Sequence, residues 1–278
     1  MTTALFKVEG AGNDFLLGVG EWATRLDAEP EVARTLCHRR KGIGADGVIA
    51  LLLREEDRIE IIYRNADGSR GAFCANATRC SAVAAVELLG RPQHMKIVTG
   101  WGEIPAEVDG SQVTLELPAL GSTPQHPGIS TPDGIEEPVL MSVGVPHLVA
   151  RVNLLSKLDI QRVAPPMRAH EELGPAGANV NFYRLENDGS VSIRTWERGV
   201  EGETLCCGSG VVSVALVVMA ERGLDELVLT PASGDRMRVK ALGTPPDCST
   251  RLTGPARIVA RIEPTEEIEG ARSAPANR

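Results

Sequence analysis

The chain has 278 residues, 42% of them hydrophobic, which is apolar material for one large core or two smaller ones and leads us to expect two domains. Its 29 Lys and Arg against 37 Asp and Glu give a formal charge of -8, with no basic run to serve nucleic acid or an anionic membrane. Only 3% of residues are aromatic, too few for a base-stacking platform, so a small-molecule ligand is the expectation.

The chain starts MTTALFKVEG, without the charged segment and apolar run of a signal peptide, and no apolar stretch reaches the roughly 20 residues of a membrane span. We therefore expect a soluble, cytoplasmic protein. Strand-like runs follow at Ala4–Val8, Phe15–Val19, Gly47–Leu53, Ile59–Arg64, Lys96–Thr99 and Val113–Leu117, each bounded by Gly, Pro, Asp or Asn. The Pro- and Gly-rich stretch from Pro118 to Gly134 reads as a crossing between domains. Further strands are expected at Val139–Val143, His147–Val152, Asn179–Leu185, Ser190–Trp196, Leu227–Leu229, Met237–Ala241 and Arg257–Ile262, and the tail after Glu263 reads as frayed. The expected domains are 1–119 and 120–255, with 256–278 a candidate to rejoin the first.

The two halves read as copies of one unit. Ile59–Asn65 is followed nine positions on (65 to 74) by Cys74, and Val191–Arg198 nine positions on (198 to 207) by Cys207. Each cysteine precedes a small-residue segment, Ala75-Asn76-Ala77 or Gly208-Ser209-Gly210, and then a helical apolar run, Ala82–Leu89 or Val211–Ala220. Gly90 and Gly223 stand where a left-handed cap would stop each helix. The second run, VVSVALVVMA, is apolar on nearly every face and should be buried all round. The expected fold is α+β: two pseudo-symmetric domains, each a mostly antiparallel sheet or barrel wrapped around a central helix.

Two cysteines at equivalent helix N-termini suggest a chemistry. Unpaired N–H groups and partial positive charge at such a terminus favour a thiolate and can hold a carboxylate. One thiolate could take the α-proton of an amino acid while the other thiol delivers a proton to the opposite face, with N–H donors stabilising charge on the carboxylate. A thiol suits the task, because its pKa of about 8.5 is easily tuned towards neutrality. Taken singly, either cysteine would read as a small packing residue; the repeat makes the pair informative. Cys80 and Cys206 read as packing residues, and Cys37 and Cys248 have no supporting context. No Cys-x-x-Cys or paired His supports a metal. Gly10–Phe15 reads as a turn into a strand that Asn13 could serve, and Gly42–Gly47 lacks the context of a phosphate loop. His147 lies in the second unit roughly where Asp14 lies in the first, and alone reads as a surface or satisfied core residue.

These residues resemble the diaminopimelate epimerase family from end to end, through GAGNDF at Gly10–Phe15, GIGAD at Gly42–Asp46, NADGS at Asn65–Ser69 and CANATRC at Cys74–Cys80. The resemblance continues through Pro146-His147, NVNF at Asn179–Phe182, ERG at Glu197–Gly199, GETL at Gly202–Leu205 and CGSG at Cys207–Gly210. It implies an isomerase without pyridoxal phosphate, other cofactor or metal, interconverting LL- and meso-diaminopimelate on the route to lysine and peptidoglycan. By position it implies Cys74 and Cys207 as catalytic thiols, His147 and Glu197 as modulators of their pKa, and Asn13, Asn65, Ala75, Asn76, Asn179, Glu197, Arg198, Gly208 and Ser209 as substrate contacts. Arg198 could clamp a distal carboxylate, and Glu197 accept from an ammonium group. A small-molecule partner is implied, with no nucleic acid or membrane, and a homodimer stays open. The family's usual Cys-Gly-Asn-Gly is Cys74-Ala75-Asn76-Ala77 here, so positive φ at either alanine would mean strain. Val145 stands where many members have a contacting Asn, and Gly47 near where some have a Gln. A same-fold isomerase for another amino acid, a thiol redox protein and a silent binding protein remain alternatives.

Overall fold

The structure is a computed structural model that describes residues 4–119 and 123–265. Part of the Pro118–Gly134 stretch, and the tail from residue 266 on, lie outside the described residues. In chain order the elements are β1 (Ala4–Gly10), β2 (Asn13–Val19), α1 (Glu21–Ala28), α2 (Pro30–Cys37), β3 (Gly47–Leu53), β4 (Arg58–Asn65), β5 (Arg70–Gly71), α3 (Ala75–Leu89), β6 (His94–Thr99), β7 (Gly102–Asp109) and β8 (Gln112–Leu117). They continue as β9 (Val139–Val143), β10 (Val145–Arg151), α4 (Ile160–Arg168), β11 (Asn179–Leu185), β12 (Val191–Glu197), β13 (Gly202–Thr204), α5 (Gly208–Arg222), β14 (Glu226–Thr230), β15 (Met237–Ala241), β16 (Thr250–Pro255) and β17 (Arg257–Ile262). Among the described residues no helix is long and apolar enough to cross a membrane.

The chain divides into two compact units, one running to Leu115 and resuming at Pro255, the other Glu116–Gly254. In the first, β1 pairs antiparallel with β2, β2 parallel with β3, β3 antiparallel with β4, β4 parallel with β6, and β6 and β7 antiparallel with their successors. The second repeats that order from β9 to β16. The architecture is α+β and mostly sheet, as the alternating runs and the two glycine-stopped helices suggested.

The registers also superpose the units residue for residue. Phe15 lies opposite Gly47 and His147 opposite Asn179; Ile59 lies opposite Ile97 and Val191 opposite Leu229. His147 therefore corresponds to Phe15, one residue on from the Asp14 expected from the sequence.

Strand alternation gives β2, β3, β10 and β11 two buried faces. One face of β10 and β11, with Leu148, Ala150, Val180 and Phe182, packs on the Ile160, Val163, Ala164 and Met167 stripe of α4. In the first unit Leu16, Val48 and Ala50 pack on Trp22 and Leu26 of α1 and Val32 and Leu36 of α2. The other faces meet the central helices: α3 packs against β1, β2, β3, β4, β6, β7 and β17, and α5 against β9, β10, β11, β14 and β15. Nearly all of α5 from Val211 to Met219 is at most 5% exposed, as its all-round apolar sequence requires.

Both central helices start earlier than the apolar runs suggested. They begin at Ala75 and Gly208, so Cys74 and Cys207 are themselves the N-caps, and they stop at left-handed Gly90 (φ 62°) and Gly223 (φ 66°). Helices α1, α2 and α4 carried no sequence expectation. In α4 the pair Pro165-Pro166 reads as a breaker, yet the 160/163/164/167 stripe and the Asp159 cap, which accepts from the Arg162 N–H, hold the helix together.

Candidate active site

In the first unit the site grows from a hairpin and a helix start. Ala11 (φ 53°) and Gly12 (φ 90°) form the two-residue turn joining β1 to β2 and present Asn13 at the first position of β2. The Asn13 amide nitrogen donates to Asp46 Oδ2 at 2.9 Å, and its oxygen accepts from Asn76 Nδ2. Asn76 Oδ1 accepts in turn from Arg79 Nη2 at 2.7 Å, and Arg79, wholly buried one turn along α3, donates through Nε to Pro255 O. This chain leaves each amide one orientation. Cys74, half-buried, caps α3 beside it, with its carbonyl accepting from the Thr78 N–H and hydroxyl, both at 2.9 Å.

Ala75 and Ala77 lie in the first turn of α3, 5% and 0% exposed, and neither is among the residues with positive φ. The strain that these alanines would have carried in a left-handed loop is therefore absent. We expect Ala77→Gly to cost up to about 1 kcal/mol of stability, since glycine adds backbone freedom to the unfolded chain, with no gain in activity. Urea unfolding and an epimerisation assay of the variant check both halves. Asn65 ends β4 opposite Gly47, accepts from the Tyr63 hydroxyl at 2.8 Å and donates to Ser69 Oγ at 3.0 Å. At Gly47 a β-carbon would run into the Arg64 carbonyl and the Tyr63 ring, so this position has no room for a contacting side chain.

Sequence reasoning missed the charged frame behind Asn13. Asp14 accepts from Lys7 and from Arg39 at 2.8 Å, and Arg39 also donates to Asp46 Oδ1 at 2.7 Å. Burial alone would push the Asp14 carboxyl up, but the hydrogen bonds and charges of Arg39 and Lys7 outweigh it and hold it at about 2. A depressed carboxyl stabilises the fold above its unfolded value, and that stability is lost as pH falls towards 2. Asp14→Asn is therefore expected to cost about 2 kcal/mol at pH 7 and much less near pH 2, as read by urea unfolding at both pH values.

In the second unit β10, β11 and β12 bring His147, Asn179 and Glu197 to one end of the sheet, and the β12–β13 hairpin leads back to Cys207 there. Asn179 Oδ1 accepts from the Arg198 N–H at 2.8 Å, the Arg198 guanidinium reaches Ala176 O at 3.5 Å, and Glu197 accepts from the Thr204 hydroxyl. Gly208 and Ser209 form the first turn of α5, and Ser209 Oγ lies 3.5 Å from Cys207 Sγ and 3.0 Å from His147 Nε2. His147 is fully buried and bonded at both ring nitrogens, a satisfied core histidine that also reaches the site through Ser209. Burial first, and then the nearby Arg198 charge, lower its pKa to about 3, so the ring is neutral.

The helix N-terminus was expected to lower the thiol pKa, but at Cys207 the net direction is upward. Burial, and then the Glu197 charge, raise it, outweighing the Ser209 hydroxyl and the Gly210 N–H that favour the thiolate. Cys207 therefore rests as a thiol, able to give a proton. None of the six cysteines is joined in a disulfide; Cys37 and Cys80 are pushed upward by burial, Cys37 to about 12, as suits packing residues. The sequence also gave no role to Asn181, although an Asn two positions past Asn179 in a buried strand puts a second polar group on the face that meets α5.

The sequence profile of the family described as diaminopimelate epimerase matches residues 5–117 and 139–259. A diaminopimelate epimerase of Gemmatimonas aurantiaca is 39% identical over 217 residues, spanning 76% of this chain and 78% of that one. One from Methanothrix thermoacetophila is 34% identical over 278 residues, 94% and 96% of the two chains. Solved structures share the fold at low identity. A phenazine biosynthesis protein of the PhzF family from Bacillus anthracis superposes with a TM-score of 0.72 at 16% identity, covering 95% of this chain and all (100%) of the other. A hydroxyproline epimerase from Agrobacterium vitis, with trans-4-hydroxy-L-proline bound, gives 0.65 at 18% identity, covering 94% and 90%. With more than half its length matched by the profile and relatives above 30% identity across most of the chain, the protein belongs to the diaminopimelate epimerase family and is an isomerase.

Proposed function

We propose that the protein interconverts LL- and meso-diaminopimelate by direct proton transfer between two cysteines, without a cofactor, and so serves lysine and peptidoglycan synthesis in the cytoplasm. The observation that carries this reading is that Cys74 and Cys207 occupy one and the same place in the two copies of the repeat, each as the cap of a buried central helix. A helix start leaves its first N–H groups without intrahelical partners, and these are donors for a carboxylate.

In the forward step a thiolate takes the α-hydrogen as a proton, and the electron pair left on carbon spreads into the carboxylate, stabilised by N–H groups of Ala75, Asn76, Gly208 and Ser209. The opposite thiol gives its proton to the other face of the carbon. Thiol and thiolate have then exchanged places, and exchange with solvent restores them. Cys207 at rest as a thiol suits the donor role in one direction, and His147 and Glu197 set how readily it parts with its proton. Asn13, Asn65, Asn179 and Arg198 hold the polar groups of the substrate, Arg198 matching a distal carboxylate.

The test is the reduced protein incubated with LL-diaminopimelate, lysine or glutamate, and the products separated by chiral chromatography. We expect meso-diaminopimelate, with lysine and glutamate unchanged because each lacks one end of the substrate. Racemisation of another amino acid with none of diaminopimelate would overturn the substrate and keep the reaction class.

A further inference from the structure

We propose that Asn181 is a positioning residue for the Cys207 thiol, fixing the tautomer of His147 so that Ser209 keeps its hydroxyl proton for the sulfur. The inference rests on the reading of Cys207 as a working acid and base. Asn181 is fully buried on β11. Its Oδ1 accepts from the Thr195 hydroxyl at 3.0 Å, and its Nδ2 donates to Leu148 O at 3.1 Å. A carbonyl only accepts, so the amide cannot be turned round. The same Nδ2 lies 3.1 Å from His147 Nδ1, which must therefore be the acceptor in the neutral ring.

The ring proton is then on Nε2 and points to Ser209 Oγ at 3.0 Å. In the other tautomer Nε2 would be an acceptor and would draw the Ser209 proton away. With Nε2 protonated that competition is gone, and the Ser209 proton is left for Cys207 Sγ at 3.5 Å whenever the sulfur carries charge. The charged groups acting nearby are Glu197 on Cys207 and Arg198 on His147, with the thiol of Cys206 adjacent and the Gly210 N–H favouring the thiolate alongside Ser209.

Comparison within the chain shows that the arrangement is built. At the matching strand positions the first unit has Phe15, Ile49 and Tyr63 where the second has His147, Asn181 and Thr195, and Phe15 and Tyr63 meet as an edge-to-face ring pair. Three positions past each cysteine, Ala77 in the first unit is Gly210 in the second, where a β-carbon would run into Asn181 Oδ1. Three polar residues and one missing methyl group thus distinguish the surroundings of Cys207 from the repeat's apolar version.

The test has two arms that do not use turnover, so its failure is separable from failure of the proposed reaction. In the unmodified protein, ¹⁵N NMR of the histidine rings should show neutral His147 protonated at Nε2; protonation at Nδ1 would overturn the proposal, whether or not any variant folds. In Asn181→Leu, the pH midpoint of iodoacetamide labelling, read by mass spectrometry of each cysteine peptide, should rise by about one pH unit for Cys207 and stay put for Cys74. Equal shifts at both cysteines, as a purely structural role would give, or no shift at Cys207, would equally overturn it.

Discussion

Alanine in place of Cys74 or of Cys207 is expected to lower kcat for epimerisation by about 10³-fold or more, and to leave the thermal midpoint within a few degrees of the parent. The loss is large because both cysteines are needed in every turnover, one to take a proton and the other to give one. The fold should survive because neither cap uses its side chain in a capping hydrogen bond: α3 and α5 are held by their apolar surroundings and by the glycines that stop them. Cys207→Ala removes one small buried group, at most 9% exposed, and a cost of about 1 kcal/mol is the scale to expect. Steady-state kinetics with calorimetry on both variants separates the two effects. An active Cys207→Ala would remove this thiol from the mechanism.

The largest effect on stability is expected from Phe182→Ala, which should cost about 3–5 kcal/mol. Phe182 is 0% exposed, on the face of β11 that packs against α4, among Val163, Met167, Leu148 and Trp196. For a chain of this length that loss corresponds to a fall of roughly 10 °C in the unfolding midpoint. Its neighbour Asn181 points to the opposite face, so the two positions separate the supports of the fold from those of the thiol. Calorimetry decides the matter: a fall of only a degree or two would mean that the cluster collapses into the space or was never tightly packed.

What the sequence made legible was what local physics repeats. Nine residues from a strand to a cysteine, a run of small residues and a glycine stop occur twice, and both helices end at Gly90 and Gly223 in the left-handed conformation that the glycines imply. The helices' starts were less legible, because Ala-Asn-Ala and Gly-Ser-Gly resemble loop as much as helix until packing decides. Helix α4 was hidden by Pro165-Pro166, whose breaking tendency is overridden by four apolar residues on one face and an aspartate cap.

At the site, residue type was visible and environment was not. Cys207 stands at a helix start, which favours its thiolate, yet burial and Glu197 drive its pKa up, and neither can be weighed without coordinates. Ala75 and Ala77 suggested strain only while their backbone was unknown. His147 was placed one residue out because the turn between β9 and β10 differs in length from that between β1 and β2; only the strand register, with His147 opposite Asn179 as Phe15 is opposite Gly47, aligns it. Asn181 lies inside the NVNF segment that helped to identify the family, and its role emerges only when its amide is seen to have one orientation.

The measurement that tests the two-thiol reading most directly is proton NMR of LL-diaminopimelate with the reduced protein in deuterium oxide, followed from the first few per cent of conversion. Two cysteines acting from opposite faces predict that the meso product carries deuterium at the inverted α-carbon while recovered LL substrate remains protiated. Deuterium entering substrate and product at equal initial rates would indicate a single base returning protons to both faces, and would contradict the account.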